Sequence, residues 1–342
     1  MSATWFSGVA LVLAAGVDYL VGDPWGWPHP VQIMGRMITL GVKPALALTL
    51  PAWMERLWGV GLGLTLVVGS GAVGWGLLHW AQGLSTPLAL ALTVVLLASC
   101  LAGRSLRRAA EDVLAPLGQG DLAQARERLA LYVGRDTADL EEAEIRRAVL
   151  ETVSENATDG VLAPLFYAVL GALVPALGPV PLALAYKAAS TLDSMVGYRH
   201  PPYTHLGWFS ARLEDGLTWL PCRLTVITIA LLSGEPRRVW RICCRDAPAD
   251  PSPNAGWSEA AYAAALGVQL GGVNVYRGVV KAKPHLGDDC YPITPECIGQ
   301  ALALTRRAVL LWLLVGLVLV YGVQRGGWGG YALIGERLYS LD

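Results

Sequence analysis

Two short stretches concentrate the residues that can do chemistry. The first, Glu151-Thr-Val-Ser-Glu155-Asn-Ala-Thr-Asp159-Gly, spaces three carboxylates at i, i+4 and i+8. On a helix that spacing sets them on one face, where like charges cost about 0.2–0.5 kcal/mol a pair in water and more once partly buried. A hard cation such as Mg²⁺ would relieve the repulsion, because it takes oxygen ligands and keeps water and phosphate in its remaining positions. The alternative is a capping box, Thr152 with Glu155, plus incidental acidity. The second stretch, Tyr186-Lys187-Ala-Ala-Ser190-Thr191-Leu-Asp193-Ser194-Met-Val-Gly197-Tyr198, combines one cation, several hydroxyls and a carboxylate. Such a set can hold a phosphate and its metal, with Lys187 as a point charge, Thr191 and Ser194 as donors and Asp193 on the cation. The alternative is a helix end at a membrane interface with Lys187 snorkelling. No G-x-x-x-x-G-K-[ST] occurs, so this is not a P-loop.

Smaller polar groups accompany these. Asp23, Pro24, Pro28, His29 and Pro30 make a stiff loop in which His29 reads more naturally as a hydrogen-bonded loop residue than as a ligand. Arg245 and Asp246 precede a turn, Pro251-Ser252-Pro253-Asn254-Ala-Gly256, whose Ser and Asn suit helix caps. Arg212, Asp215 and Arg223 flank or interrupt an apolar run; Arg223 is a functional candidate, with pairing to Asp215 as the structural alternative. Asn156-Ala-Thr158 matches a glycosylation sequon, which a cytoplasmic placement makes coincidental. No Ser-His-Asp set, H-E-x-x-H or dinucleotide fingerprint is present.

The elements that carry these residues are membrane helices. Charged residues make up 15% of the 342 and hydrophobic residues 54%, with a mean hydropathy of +0.45. A soluble domain carries about 25% charged residues. Tryptophan outnumbers phenylalanine 13 to 3, as suits rings seated at the headgroup level. A net charge of -1 argues against nucleic acid, and 6 scattered cysteines argue against a zinc or redox framework. Spans are expected at about 5–21, 58–80, 84–103 and 308–323, each near the roughly 20 apolar residues a crossing needs. The first is not a signal peptide, since no Lys or Arg precedes Arg36, and its Asp18 must face protein or water. The second is Gly-rich, which allows close helix approach. Residues 161–186 are apolar but broken by Pro175, Gly178, Pro179 and Pro181, and form either one kinked span or a re-entrant hairpin. Residues 216–232 are apolar but hold Arg223.

Arginines and lysines collect in 22–57, 104–160 and 234–307, which the positive-inside rule makes cytoplasmic, with the N-terminus outside and an even number of crossings between about 160 and 235. The expected organisation is an N-terminal membrane region 1–103, a helical segment 104–160 ending in the acidic motif, broken apolar segments with core motifs 161–233, a cytoplasmic segment 234–307, and a last span and tail 308–342. Within 104–160, Leu106, Ala110, Val113 and Leu117, then Leu122, Ala125, Leu129 and Tyr132, recur at helical spacing. The fold class is an all-α, polytopic helical membrane protein with cytoplasmic helical segments.

Read together, the polar blocks resemble the CobD/CbiB family, the adenosylcobinamide-phosphate synthases of cobalamin biosynthesis. The likeness rests on Asp18, Gly22-Asp23-Pro24, Pro28-His29-Pro30-Val31, Gly35, Gly134-Arg135-Asp136-Thr137, Glu151-Thr152, Glu155-Asn156, Asp159-Gly160 and Ala163-Pro164-Leu165-Phe166-Tyr167. It continues through Tyr186-Lys187-Ala188, Thr191-Leu192-Asp193-Ser194-Met195, Gly197-Tyr198, Ser210-Ala211-Arg212-Leu213, Asp215, Pro221, Arg223, Arg245-Asp246-Ala247, Ser252-Pro253-Asn254-Ala255-Gly256 and Leu270-Gly271-Gly272. Departures from the family pattern are Ser190 and Thr218 in place of Asn, Glu214 in place of Asp, and Asp250 where His is common.

The resemblance implies a ligase of the bacterial cytoplasmic membrane, its site facing the cytoplasm, that uses ATP and Mg²⁺. It would join adenosylcobyric acid to an aminopropanol phosphate, or an ethanolamine analogue. It further implies Glu151, Glu155, Asp159 and Asp193 for Mg²⁺ or general-base work. Lys187, Arg212, Arg223 and Arg245 would hold phosphates or corrin carboxylates. Asn156, Ser194, Tyr198, Ser252 and Asn254 would be donors, and Asp23, His29, Thr191, Asp215 and Asp246 further substrate contacts. Partners on this reading are the corrinoid and amino-alcohol phosphate, the bilayer, other late pathway enzymes and a second copy of the chain, with no nucleic acid. A non-catalytic membrane sensor of the AmpE type and a transporter of an anionic cofactor, with the broken 175–181 segment at its substrate site, are the other classes.

Overall fold

Lipid inverts the usual rule for a helix face: bulky apolar side chains point outward and small ones face protein, where they let backbones approach. The helix Ala52–Leu84 shows this directly. Gly59, Gly63, Leu66, Gly74, Leu78 and Ala81 are buried, while Leu57, Leu64, Val68 and Val73 are exposed.

The computed structural model describes residues 3–22, 29–48 and 50–325. The loop that holds Asp23 lies outside the described residues. In chain order the elements are α1 (Ala3–Leu20), α2 (Pro30–Ala47), α3 (Ala52–Leu84), α4 (Thr86–Ala98), α5 (Gly103–Gly118), α6 (Leu122–Leu129) and α7 (Glu142–Asn156). A π-helical turn (Ala157–Leu162) joins α7 without a break to α8 (Ala163–Ala172). Then follow α9 (Pro179–Val196), α10 (Trp208–Leu232), α11 (Pro236–Asp246), α12 (Ala255–Leu266), the strands β1 (Leu270–Tyr276) and β2 (Val279–Leu286), and α13 (Pro295–Arg325).

Four stretches are long and apolar enough to cross a membrane: Ala52–Leu84, Thr86–Gly118, Trp208–Leu232 and Pro295–Val323. The chain is thus a multi-pass helical membrane protein. The apolar helix Trp5–Leu20 is shorter. The segment 161–186 is resolved into two helices, α8 and α9, folded against each other around a turn at 173–178, where Trp75 Nε1 donates to Ala176 O at 3.1 Å. Pro179 and Pro181 fall in the first turn of α9, where proline is tolerated, so they start a helix and do not kink one.

Asp18, the carboxylate that lipid would not accept, is 7% exposed, and its oxygens accept from the backbone amides of Gly103 (3.2 Å) and Arg104 (3.5 Å). It caps α5 from another helix, a partly positive helix N-terminus stabilising its charge.

Two apolar clusters result. One gathers α1–α4, α8 and α9. The other gathers α5–α7, α11, α12 and the β-hairpin, including the predicted Leu106, Ala110, Val113, Leu117, Ala125 and Leu129. The long helices α10 and α13 supply residues to the second cluster and meet the first, so they clamp the two together. The antiparallel hairpin is a departure from the all-helical expectation. Its strand run Val273-Asn-Val-Tyr276 was legible as β-branched and aromatic sequence, but the flanking glycines and short length hid it among helices. The helix α12 ends at Leu266, because Gly267 takes a left-handed conformation (φ 71) there.

The small-residue seam of α3 is testable by contrast. A Cβ at Gly59 would overlap Leu206 O, whereas one at Gly61 meets nothing within 4 Å. Gly59→Ala should lower the melting temperature in detergent, while Gly61→Ala should leave it unchanged or raise it, gaining up to about 1 kcal/mol of helix propensity.

Candidate functional site

The three carboxylates of α7 and its π-helical extension stay near enough to raise one another's cost of ionisation, yet each meets its own partners. Each i+4 step on a helix overshoots one turn by about 40°, and the π-helical turn, a feature common at functional sites, widens the offset. Glu151, Glu155 and Asp159 therefore fan toward three different sets of partners.

Glu151 is a structural anchor. Only 2% exposed, it pairs with Arg135 and Arg147 and accepts from the Gly271 amide at 2.9 Å. Arg135 also donates to Asn274 Oδ1 at 2.8 Å, and Arg147 to Gly271 O and to Val273 O. This knot ties the β-hairpin to α7. Asp136 completes it by accepting from the turn amides of Arg277 (3.0 Å) and Gly278 (2.7 Å). The expectation of Glu151 as a metal ligand or base meets a carboxylate whose charge is already compensated by two guanidiniums and which also accepts a backbone amide. The capping-box alternative fails too: the box is Glu141 with Glu144 at the start of α7, and Thr152 donates mid-helix to Ala148 O.

Glu155 is the bridge between two carboxylate groups. On one side stand Asp250, Glu259 and Lys283. Glu259 of α12 is fully buried; Lys283 Nζ lies 3.3 Å from its Oε1, while its Oε2 has no hydrogen-bonding partner among the described residues. Burial, opposed by Lys283 and reinforced by Glu155, Glu151 and Asp250, pushes the Glu259 carboxyl up to about 8. Burial pushes Lys283 down, but Glu259, Glu151, Glu155 and Asp250 outweigh it and hold the ammonium charged. Burial raises Glu155 as well.

On the other side stand Asp159, Asp193, Glu214 and Asp215. Burial and the facing charges of Glu214, Glu155, Asp193 and Asp215 raise Asp159 well above the usual carboxylate range. Thr218 donates to Glu214 at 2.5 Å and shares a 2.8 Å hydrogen bond with Tyr186 OH, so the departures Glu214 and Thr218 form one chain of polar contacts with Tyr186. Arg199 and Arg212 act on the charge of Asp215. Lys187 is half-buried on α9, the helix that bears Asp193.

Other expected contacts serve local structure. The hydroxyls of Thr191, Ser194 and Tyr198 donate to the carbonyls of Lys187, Thr191 and Ser194, which leaves them as acceptors and not as donors toward a ligand. Asn156 is exposed and donates to Thr152 O. Ser252 Oγ accepts from the amides of Asn254 and Ala255, the capping role anticipated for it. Asn254 donates to Asp215 O at 2.9 Å and accepts from Arg223, which packs 4.3 Å over the Trp257 ring; Arg223 thus reaches Asp215 through Asn254. Arg245 pairs with Asp246 and Asp288, and Asp246 accepts from Gly287, so this couple pins the end of the hairpin to α11. His29 Nδ1 accepts from the Val31 amide as the cap of α2.

Glu259 and Lys283 escaped sequence reading. Glu259 lies in an Ala-rich helix with no second acid at helical spacing, and Lys283 in a hairpin not recognised as one. The available signal was the isolated acid in that small apolar helix. Beside the site, the 198–203 loop and the hairpin turn enclose a cavity of about 540 Å³ lined by Tyr198, His200, Tyr203, Tyr276, Arg277 and Lys281 among others. Among the described residues no three His, Cys, Asp or Glu side chains enclose a metal position by themselves.

A multi-pass helical membrane protein with a buried, carboxylate-rich polar site is the class that fold and site define. The sequence profile of the CobD/Cbib protein family matches residues 11–305. Relatives include the cobalamin biosynthesis protein CobD of Synechocystis, 52% identical over 324 residues (94% of this chain, 95% of the relative). The cobalamin biosynthesis protein CbiB of Salmonella choleraesuis is 43% identical over 86% of this chain and 92% of its own, and CobD of Yersinia enterocolitica 42% over 92% and 96%. No solved structure matches. The chain belongs to the CobD/CbiB family.

Two measurements probe the site. Arg135→Ala leaves the buried Glu151 with Arg147 as its one guanidinium and should cost up to about 3–5 kcal/mol of stability, part of it restored when Glu151 is made Leu as well; denaturation in detergent reads both. For Glu259 the folded carboxyl titrates near 8 and the unfolded one near 4.5. Its contribution to stability is therefore complete below the lower value and is lost as pH rises through the upper. Melting temperature should fall more steeply from about pH 6 to about pH 8 in the wild type than in Glu259→Gln.

Proposed function

We propose that this chain serves cobalamin biosynthesis as a membrane ligase. It joins a propionate carboxylate of adenosylcobyric acid to the amine of (R)-1-aminopropan-2-ol O-phosphate, or an ethanolamine analogue, at the expense of ATP, giving adenosylcobinamide phosphate. The observation that carries the reading is two neighbouring carboxylate groups, one paired with Lys283 and the other under the charge of Arg199 and Arg212, with a cleft of about 540 Å³ walled by tyrosines. Family membership supports the pathway.

The donor chemistry fits Mg²⁺. Asp159, Asp193, Glu214 and Asp215 are hard oxygen donors crowded against one another, and Mg²⁺ is usually bound through only one or two carboxylates, with water and phosphate completing its shell. When bound, ATP and Mg²⁺ supply a leaving group for the carboxylate and neutralise its phosphate charge. The protein's own work is positioning and charge compensation. Lys187, Arg199 and Arg212 lie on the side of the site that receives phosphates. The tyrosine-walled cleft takes the corrin face, and its Arg277 and Lys281 meet the macrocycle's polar rim. The site faces the cytoplasm, where the positive-inside rule puts the arginine-rich segments.

Membranes containing the protein should convert adenosylcobyric acid, aminopropanol phosphate and ATP into a product of the added mass, with ATP consumed. Asp193→Asn and Lys187→Ala should each reduce that conversion by about 100-fold or more while leaving insertion intact. Product formation without ATP, or near-normal rates in both variants, defeats the reading. Absence of any turnover leaves the sensor or transporter class standing.

A further inference from the structure

We infer that Glu155, Asp250 and Glu259 form the subsite for the primary ammonium group of the amine substrate, an inference that rests on the ligase reading above. Three carboxylates from three elements meet here closely enough that Glu155 and Asp250 add to the cost of ionising Glu259. Glu155 ends α7, Asp250 precedes α12, and Glu259 lies one turn into α12 beyond Gly256. Their positions are fixed by contacts independent of any ligand. Ser258 donates to Ser154 O at 2.6 Å and shares a 2.7 Å hydrogen bond with Thr158, which locks α12 to α7 beside Glu155. The Asp250 side chain lies against Gly256, where a Cβ would come within 2.5 Å of its own Cβ. Asp250 Oδ1 accepts from the Ser252 amide at 2.8 Å.

After these contacts two acceptor atoms remain. Asp250 Oδ2 and Glu259 Oε2 are buried with no hydrogen-bonding partner among the described residues, and the Glu259 side chain is 0% exposed. Orphaned buried acceptors call for a donor. A primary ammonium brings three N–H donors and one positive charge, which matches two orphan oxygens and the neighbouring Glu155. The pocket already accepts that chemistry on its far side, where the Lys283 ammonium sits 3.3 Å from Glu259 Oε1. Three carboxylates against the one Lys283 ammonium leave a negative surplus that a further monocation reduces. Glu155 also faces Asp159, so an ammonium held here is delivered beside the half of the site assigned to the phosphates.

The test compares two ligands that differ only in the amine: 1-aminopropan-2-yl phosphate and isopropyl phosphate, each titrated against the full-length protein in detergent. The wild type should bind the amine-bearing phosphate about tenfold or more tightly than the other, as loss of a charge-assisted hydrogen bond predicts. In Glu259→Gln that preference should collapse, while affinity for isopropyl phosphate stays unchanged and so reports an intact fold. Should that variant not fold, Asp250→Asn, at a half-exposed position, carries the same comparison and should reduce the preference. Equal affinity of the wild type for both ligands, or a preference that survives both substitutions, overturns the subsite and leaves the ligase reading intact. A wild type that binds neither phosphate and forms no product overturns both.

Discussion

A carboxylate taken out of water must find compensation, and Glu151 finds it in two guanidiniums and one backbone amide. Most of the site's geometry depends on that settlement. Arg135 comes from the loop before α7, Arg147 from α7 itself, and the Gly271 amide from β1, so one buried anion fixes three segments at a point. The hairpin has no sheet to join, and two strands alone are marginal in water. It is held by Asp136 at its turn, Asp246 at its far end and Glu151 at its start. Only because it is held there does Lys283 reach Glu259.

The same principle divides the remaining acids by what neutralises them. Asp18 is absorbed by the N-terminus of α5, and Asp246 by Arg245 and Gly287. These are complete local solutions and demand nothing more. Glu155, Asp159, Asp193, Glu214, Asp250 and Glu259 have no such closure. They crowd one another, and each raises the cost of ionising the next.

What the sequence made legible follows from the range of the signals. Apolar periodicity is local, so α5 and α6 and their buried faces, and three of the four expected spans, could be read from neighbours a few residues away. The spacing of Glu151, Glu155 and Asp159 was legible too, but their roles were not, because those depend on groups from distant segments, such as the Gly271 amide for Glu151 and Lys283 beside Glu155. Type alone does not distinguish Glu151, saturated by arginines, from Glu155, which bridges both halves. Hydroxyls misled in the other direction: Thr191, Ser194 and Tyr198 look like donors in sequence, yet their own helix consumes their protons. Glu259 and Lys283 were invisible because neither belongs to a local pattern; only the packing of α12 against α7 and the hairpin makes them a pair.

Gly271 joins the structural knot to the chemistry. It adopts φ 85 at the irregularity between Leu270 and Gly272, a left-handed backbone that glycine takes without strain. That conformation turns its amide to Glu151 and its carbonyl to Arg147, and it brings the chain so near β2 that any Cβ would overlap Pro284 O. Pro284 follows Lys283 directly. The bulge that satisfies the buried anion therefore also sets how far Lys283 projects toward Glu259. Closing the Glu151 knot and presenting Lys283 to Glu259 are two consequences of one backbone conformation, and neither can be altered at this glycine without disturbing the other.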